Sequence, residues 1–211
     1  MNDVWSERAH LYRDSDAHRE GRDLELFAEW AEGETALDVA TGGGHVANRL
    51  REQGLNVVTT DRAPGMGPDV VSRAEEIPFA DGSFDVVACR VAAHHFEDAL
   101  GALREMARVS RSLVLIADNL YLGERGEEAD RLRDPTHVRN YSEDEWRGMF
   151  EGAGLEVEAF EREDKRIDVE AWLERAGCEG EEAARVRELL ADRIEGGRVR
   201  LDRGIFKGRK R

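Results

Sequence analysis

Residues 36–46 read ALDVATGGGHV. An apolar run closes on Asp38, opens into three glycines, and resumes as a helical pattern through residue 53, so the order is strand, glycine turn, helix. Residues 56–60 (NVVTT) form a second β-branched run that ends at Asp61. Two strands joined through a helix predict a parallel sheet. The alternation continues with a weak strand at 70–71, a turn-rich stretch at 77–83 (IPFADGS), a strand at 84–89, a helix at 98–108 and a strand at 113–117. This is the pattern of a doubly wound α/β domain with right-handed crossovers.

The flanks are read the same way. Residues 23–31 carry Leu24, Phe27, Ala28 and Ala31 at helical spacing, stopped by Gly33. Ser142 followed by Glu145 is a capping-box spacing that opens a helix over 142–151, and residues 155–160 (LEVEAF) alternate as a half-buried strand does. Helices are predicted at 169–176 and 181–194, and Ile205 and Phe206 mark a terminal strand. One domain is expected, with a helical leader at 1–33, a core at 34–160, and a helical insert plus last strand at 161–211.

Composition narrows the function classes. The 211 residues hold 46 Asp and Glu against 31 Lys and Arg, a formal charge of -15, with an isoelectric point near 4.9. That excess opposes a broad phosphate-binding surface, because nucleic-acid affinity comes mainly from basic side chains neutralising phosphates. Lysine occurs only at 165, 207 and 210; acidity with so few lysines fits either a high-salt cytoplasm or a GC-rich genome. No apolar run approaches membrane-spanning length, and MNDVWSERAH lacks the basic-then-apolar order of a signal peptide, so a cytoplasmic protein is expected. Cys89 and Cys178 alone make neither a disulfide framework nor a cysteine-rich metal site. No His-x-x-x-His spacing or convergent carboxylate pair is evident, so no metal site is predicted.

The chemistry is expected at the carboxyl edge of the sheet, where doubly wound folds bind ligands. Gly42, Gly43 and Gly44 let the chain turn without a Cβ in the ligand's way. Asp61, at the end of the next strand, can accept both hydroxyls of a ribose. Glycine turn and strand-end acid together form a nucleoside-binding constellation. Asp38 stands in the strand just before the turn.

Five stretches carry a resemblance to a known family: LDVATGGGHVA (37–47), TTDRAPGM (59–66), AEEIPFADGSFDVV (74–87), HHFEDALGALREMARV (94–109) and WRGMFEGAGLEV (146–157). In order and spacing they resemble the class I S-adenosylmethionine-dependent methyltransferases, in particular the small-molecule branch related to the quinone-biosynthesis C-methyltransferases. The resemblance implies a Rossmann-like sheet of seven strands, the last antiparallel between the fifth and sixth. It also implies that S-adenosylmethionine is the cofactor and S-adenosylhomocysteine the product. By the same resemblance, Asp38, Ala40, Thr41, Gly42 and Gly44 form the loop that carries the methionine moiety, Asp61 holds the ribose, and Arg62 flanks the adenine. The carbonyl of Arg90 meets the cofactor's amino group. Two features depart from the pattern. Arg73 replaces a common acidic residue, leaving adenine to be read by the backbone of Ala74 or by Glu75, and the stretch from Asp61 to Val70 is too short for a crossover helix.

Methyl transfer needs in-line positioning, plus a base where the acceptor must lose a proton. His94 and His95, after the fourth strand, are the candidates for that base, with a structural role as the competing reading. His137, Arg139 and Tyr141 either line the acceptor pocket or form a surface loop. Tyr12 and His18 are expected in a lid over the cofactor. The acceptor is a small molecule rather than nucleic acid or membrane. The Gly42-x-Gly44-x-x-Ala47 spacing also suits a NAD-dependent oxidoreductase, and a non-catalytic S-adenosylmethionine-binding protein is the second alternative. Neither the acceptor's identity nor the oligomeric state can be read from the chain.

Overall fold

The computed structural model describes residues 4–13 and 19–211. Its centre is the strand, turn and helix of the glycine stretch: β1 (Thr35–Val39) and α3 (His45–Glu52), the latter capped by Gly44 in the left-handed conformation. Before them come α1 (Val4–Arg13) and α2 (Arg22–Trp30). After them come β2 (Asn56–Asp61), β3 (Val70–Val71), β4 (Phe84–Arg90), α4 (Ala99–Val109) and β5 (Ser110–Asn119). The remainder is α5 (Glu124–Arg133), α6 (Glu143–Gly152), β6 (Leu155–Asp168), α7 (Val169–Ala176), α8 (Gly180–Leu189), β7 (Ile194–Glu195) and β8 (Arg198–Lys210).

The main sheet runs β3-β2-β1-β4-β5-β8-β6. β1 to β5 are mutually parallel, and β8 lies antiparallel between β5 and β6, with the short β7 paired to it. This is the seven-stranded order that the resemblance implies. The direction of winding reverses between β1 and β4, so their carboxyl ends splay apart into a crevice.

Each face of the sheet buries its own core. Leu37, Val87, Met106, Trp146, Phe150 and Phe206 fill one beneath α4 and α6; Phe27, Leu50, Val86, Leu115 and Ile205 fill the other beneath α2 and α3. A third cluster, with Ile167, Trp172, Leu173, Val186, Val199 and Leu201, packs α7 and α8 against the far ends of β6 and β8. On the second face, buried Asp23 of α2 accepts from Arg90 of β4 (2.8 and 3.0 Å) and from Arg203 of β8 (2.8 Å). The side chain of Arg90 is therefore committed to an internal ion pair.

Four elements differ from expectation. β6 and β8 are 14 and 13 residues long because 161–168 and 198–204 pair in register as a ribbon extending past the core. Their mixed charges conceal the period of two. α5 was not foreseen because the face it buries holds Gly126, Glu127, Ala129 and Asp130 rather than an apolar stripe. Helix 181–194 stops at Leu189 and gives way to a short 3-10 turn, Ala191–Arg193. The link after Asp61 is the expected loop, with one 3-10 turn at Pro64–Met66, and the capping box of Ser142 and Glu145 forms as spaced.

Candidate active site

At the carboxyl edge of β1 the chain is held by two aspartates through main-chain amides and a hydroxyl. Asp38 Oδ2 accepts from the Thr41 hydroxyl (2.6 Å) and from the Ala47 amide (3.1 Å). Asp61 accepts from the amides of Gly42 (3.0 Å) and Ala63 (2.9 Å). Ala40, Gly42 and Gly44 take positive φ of 54°, 50° and 78°. A Cβ built on Gly42 or Gly44 would project into open space, meeting nothing closer than 4.0 Å. The loop is thus an open cradle facing the crevice, as a nucleoside ligand requires. Burial, reinforced by the charge of Asp61, lifts the Asp38 carboxyl to about 7, against the hydrogen bonds from Thr41 and Ala47 that favour its ionised form.

α1 lies across this cradle. Gly65 donates its amide to Ser6 Oγ (2.8 Å), Arg13 donates to the carbonyl of Gly65 (2.8 Å), and His45 Nε2 donates to the carbonyl of Tyr12 (3.0 Å). Trp5 and Tyr12 pack on Ala9, Ala63 and Met66. Gly43 is required at the crossing, since a Cβ there would stand 2.7 Å from His45 Nε2 and 2.8 Å from the carbonyl of Tyr12.

On the other side of the crevice stands a histidine pair. Asp118, at the end of β5, accepts from both the main-chain amide of His94 (3.0 Å) and its Nδ1 (2.6 Å). The His94 and His95 ring centroids are 4.1 Å apart. His95 Nδ1 donates to the carbonyl of Thr136 (3.0 Å), which fixes its tautomer and leaves Nε2 as the lone-pair nitrogen. Trp5 meets the His95 ring edge-on at 4.6 Å. Burial pulls His94 down, but the Asp118 carboxylate outweighs it and holds the imidazole above its ordinary value. Burial and the neighbouring His94 charge depress His95 to about 3.

One cavity joins these parts. Asp38, Ala40, Thr41, Gly42, Asp61, Arg62, Ala74, Glu75, Arg90, Tyr12 and His95 all line it. Gly44 and His94 stand behind its wall, the one as helix cap and the other on Asp118. Arg73 reaches Glu97 (3.1 Å) and Glu75 (3.5 Å). The trio after β5 does not line this cavity: His137 is buried on Glu127 (3.2 Å), Arg139 pairs with Glu145, and Tyr141 packs on Trp146 (5.7 Å). His18 lies outside the described residues. Sequence reasoning missed Trp5, Met66, Val91, Ala92 and Phe96 on the wall, and Asp118 behind it. Asp118 had a signal, a lone acid ending an apolar strand; the others are ordinary apolar residues. It also missed a convergent carboxylate pair, since Glu127, Asp130 and His137 are all buried and bring ligand atoms within 4.8 Å of one another.

A glycine cradle beside a strand-end aspartate, at the switch point of a sheet whose last strand is antiparallel, narrows the possibilities; comparison with known proteins resolves them. A family model described as a methyltransferase domain matches residues 37–116. The YcgJ methyltransferase of Bacillus subtilis (strain 168) is 33% identical over 198 residues, covering 82% of this chain and 78% of that one. The crystal structure of YcgJ is similar over 90% of this chain and 98% of that one, with a TM-score of 0.79 at 27% identity. A Bacillus halodurans C-125 protein described as a methyltransferase gives 0.77 at 28% identity, over 90% and 99% of the two chains. The demethylmenaquinone methyltransferase of Beutenbergia cavernae is 38% identical over 89 residues, 37% of each chain. Motif, topology and relatives agree, and the chain belongs to the S-adenosylmethionine-dependent methyltransferases.

Proposed function

We propose that this methyltransferase binds S-adenosylmethionine in the cradle of β1 and β2 and passes its methyl group to a small organic acceptor in the cytoplasm, with neither nucleic acid nor membrane lipid as substrate. The observation that carries the reading is the single cavity bounded on one side by the glycine loop and Asp61 and on the other by His95, Trp5 and Phe96. Cofactor and acceptor would share it.

The residues present suit the cofactor. Thr41 and Gly42 offer a close backbone approach for the methionine moiety, Asp61 stands where a ribose diol needs an acceptor, and Glu75 and Ala74 edge the adenine position. The side chain of Arg90 is held by Asp23, so its carbonyl is what it offers to the ligand's ammonium. When bound, the sulfonium supplies an already activated methyl group, and the protein's task is alignment. Trp5, Met66 and Phe96 give the crevice an apolar wall that favours a flat or apolar acceptor.

His95 is assigned to orienting the acceptor through a hydrogen bond to its Nε2, since that nitrogen carries the lone pair and the ring lines the cavity. His94, gripped by Asp118, holds the position of His95 rather than touching the acceptor. The net charge of -15 supports a neutral or cationic small acceptor over a polyanion. No described helix is long and apolar enough to cross a membrane. Calorimetry with S-adenosylhomocysteine followed by radiolabelled methyl transfer onto a panel of phenolic, enolic and amine metabolites tests the proposal. Cofactor binding with transfer to at least one member is expected; binding without transfer to any would favour a cofactor-binding protein, and no binding would remove the reading.

A further inference from the structure

The carboxylates of α5 are buried in an unusual setting. Glu127 and Asp130, one turn apart on the helix, are 2% and 6% exposed, and His137 on the following loop is 8% exposed. Burying two carboxylates is costly unless charge nearby compensates them. The arginines at hand do so poorly: Arg131 reaches Glu127 at 3.4 Å from a mostly solvated position, and Arg133 Nε stays 3.9 Å from Asp130.

The geometry matches a ligand set. Asn140 holds one oxygen of each carboxylate, donating its amide to Glu127 Oε1 (3.0 Å) and its Nδ2 to Asp130 Oδ2 (2.7 Å). Such outer contacts orient metal-binding carboxylates. Glu127 Oε2 stands 3.2 Å from His137 Nε2, close to one edge of a tetrahedron or octahedron around a cation with ligand bonds of about 2.1 Å. A second observation points the same way. Asn140 is itself 2% exposed, yet its Oδ1 finds no hydrogen-bond partner among the described residues.

We propose that Glu127, Asp130 and His137 bind a divalent first-row cation that fastens α5 to the loop 134–141. One imidazole nitrogen and two carboxylate oxygens, with no sulfur, suit Zn²⁺, Co²⁺ or Mn²⁺ and not Cu(I). The role is structural support for the histidine pair. The same loop supplies the Thr136 carbonyl that orients His95, and its Val138 and Arg139 amides bond the His94 carbonyl at 2.9 and 3.1 Å. The cation would set the position of both histidines without touching the reactants, and its binding does not depend on which acceptor is methylated.

The test is direct. Full-length protein is stripped with chelator, loaded separately with Zn²⁺, Co²⁺ and Mn²⁺, desalted, and assayed for metal by mass spectrometry and for thermal unfolding. One cation per chain and a Tm raised by several degrees are expected for at least one of the three. Glu127→Gln, Asp130→Asn and His137→Gln should each abolish retention, while His10→Gln on the exposed face of α1 should leave it intact. Should the buried variants fail to fold, the cobalt-loaded native protein decides: a visible d–d absorption that Zn²⁺ displaces supports the site. Substoichiometric metal with an unchanged Tm for all three cations, or retention that survives His137→Gln in folded protein, would overturn it.

Discussion

The two walls of the crevice are built by opposite means. At the β1 and β2 edge, aspartates hold loops by accepting from main-chain amides and one hydroxyl: Asp38 takes Thr41 and Ala47, and Asp61 takes Ala63 and Gly42. At the β4 and β5 edge the donors are imidazole rings, His94 to the Asp118 carboxylate and His95 to the Thr136 carbonyl. A wall made of amides and glycines presents a fixed shape that suits an invariant ligand. A wall held by a few side chains can be rebuilt by substitution.

Behind the crevice Asp23 ties α2 to β4 and β8, and removing it should have the largest effect on folding. Asp23→Ala leaves Arg90 and Arg203 buried without their carboxylate, a loss of about 3–5 kcal/mol. Urea unfolding measures it; a loss under about 1 kcal/mol would mean that water or Asn119, 3.2 Å from Arg203, replaces Asp23.

A pair of substitutions should separate the walls themselves. His95→Ala is expected to lower kcat about 100-fold with little change in S-adenosylhomocysteine affinity, in the range for a misplaced acceptor. Asp61→Ala should do the reverse, weakening cofactor binding by about 100-fold, or about 2.7 kcal/mol. Equal effects of both changes on both constants would mean that the crevice does not divide as described.

The aspartates also differ in their response to pH. Asp23 has its carboxyl held well below the usual range: burial opposes ionisation, but Arg203 and Arg90 outweigh it. Its contribution is therefore complete above the unfolded value of 3.8 and is lost as the solution is acidified below it. Asp38 has the opposite sign. Between 3.8 and about 7 the folded chain keeps a proton that the unfolded chain releases, so stability falls as pH rises through that window, by at most about 1.4 kcal/mol per unit. Asp38→Asn should flatten this slope and leave the acid limb unchanged. A slope identical to that of the native protein would place the titration elsewhere.

This division also explains what could be read from the chain. The glycine cradle, Asp38, Asp61 and the strand order were legible because their residue types are dictated by backbone geometry, as where Gly43 passes under Tyr12. Asp118, Trp5 and the α5 cluster were not. Trp5 reaches His95 only because α1 folds back over the sheet, and Glu127 and Asp130 lie on a helix whose buried face is polar, so no apolar period announces it. His137, Arg139 and Tyr141 were read as one group from their adjacency. The loop turns each to a different partner, Glu127, Glu145 and Trp146.

The smallest predicted effect concerns a feature that both walls share. Ala40 follows β1 and Val91 follows β4, each with φ of 54°, and they are the described non-glycine residues with positive φ. Both line the cavity. For β-branched Val91 the left-handed conformation costs on the order of 1–2 kcal/mol, tolerated where surrounding contacts enforce it. The enforcing contact is the Val91 amide donating to the Ala117 carbonyl at 2.7 Å, which turns the end of β4 toward the crevice. Val91→Gly relieves the strain but adds backbone entropy to the unfolded chain, about 0.5–1 kcal/mol in the other direction. The net expectation is a gain of about 0.5 kcal/mol in stability, with cofactor affinity falling severalfold as the carbonyl edge at Arg90 loosens. Thermal unfolding and calorimetry on the same preparation test both halves: a gain in stability with unchanged affinity would make the strain a by-product of packing, and a loss of stability would show that the left-handed turn is not strained.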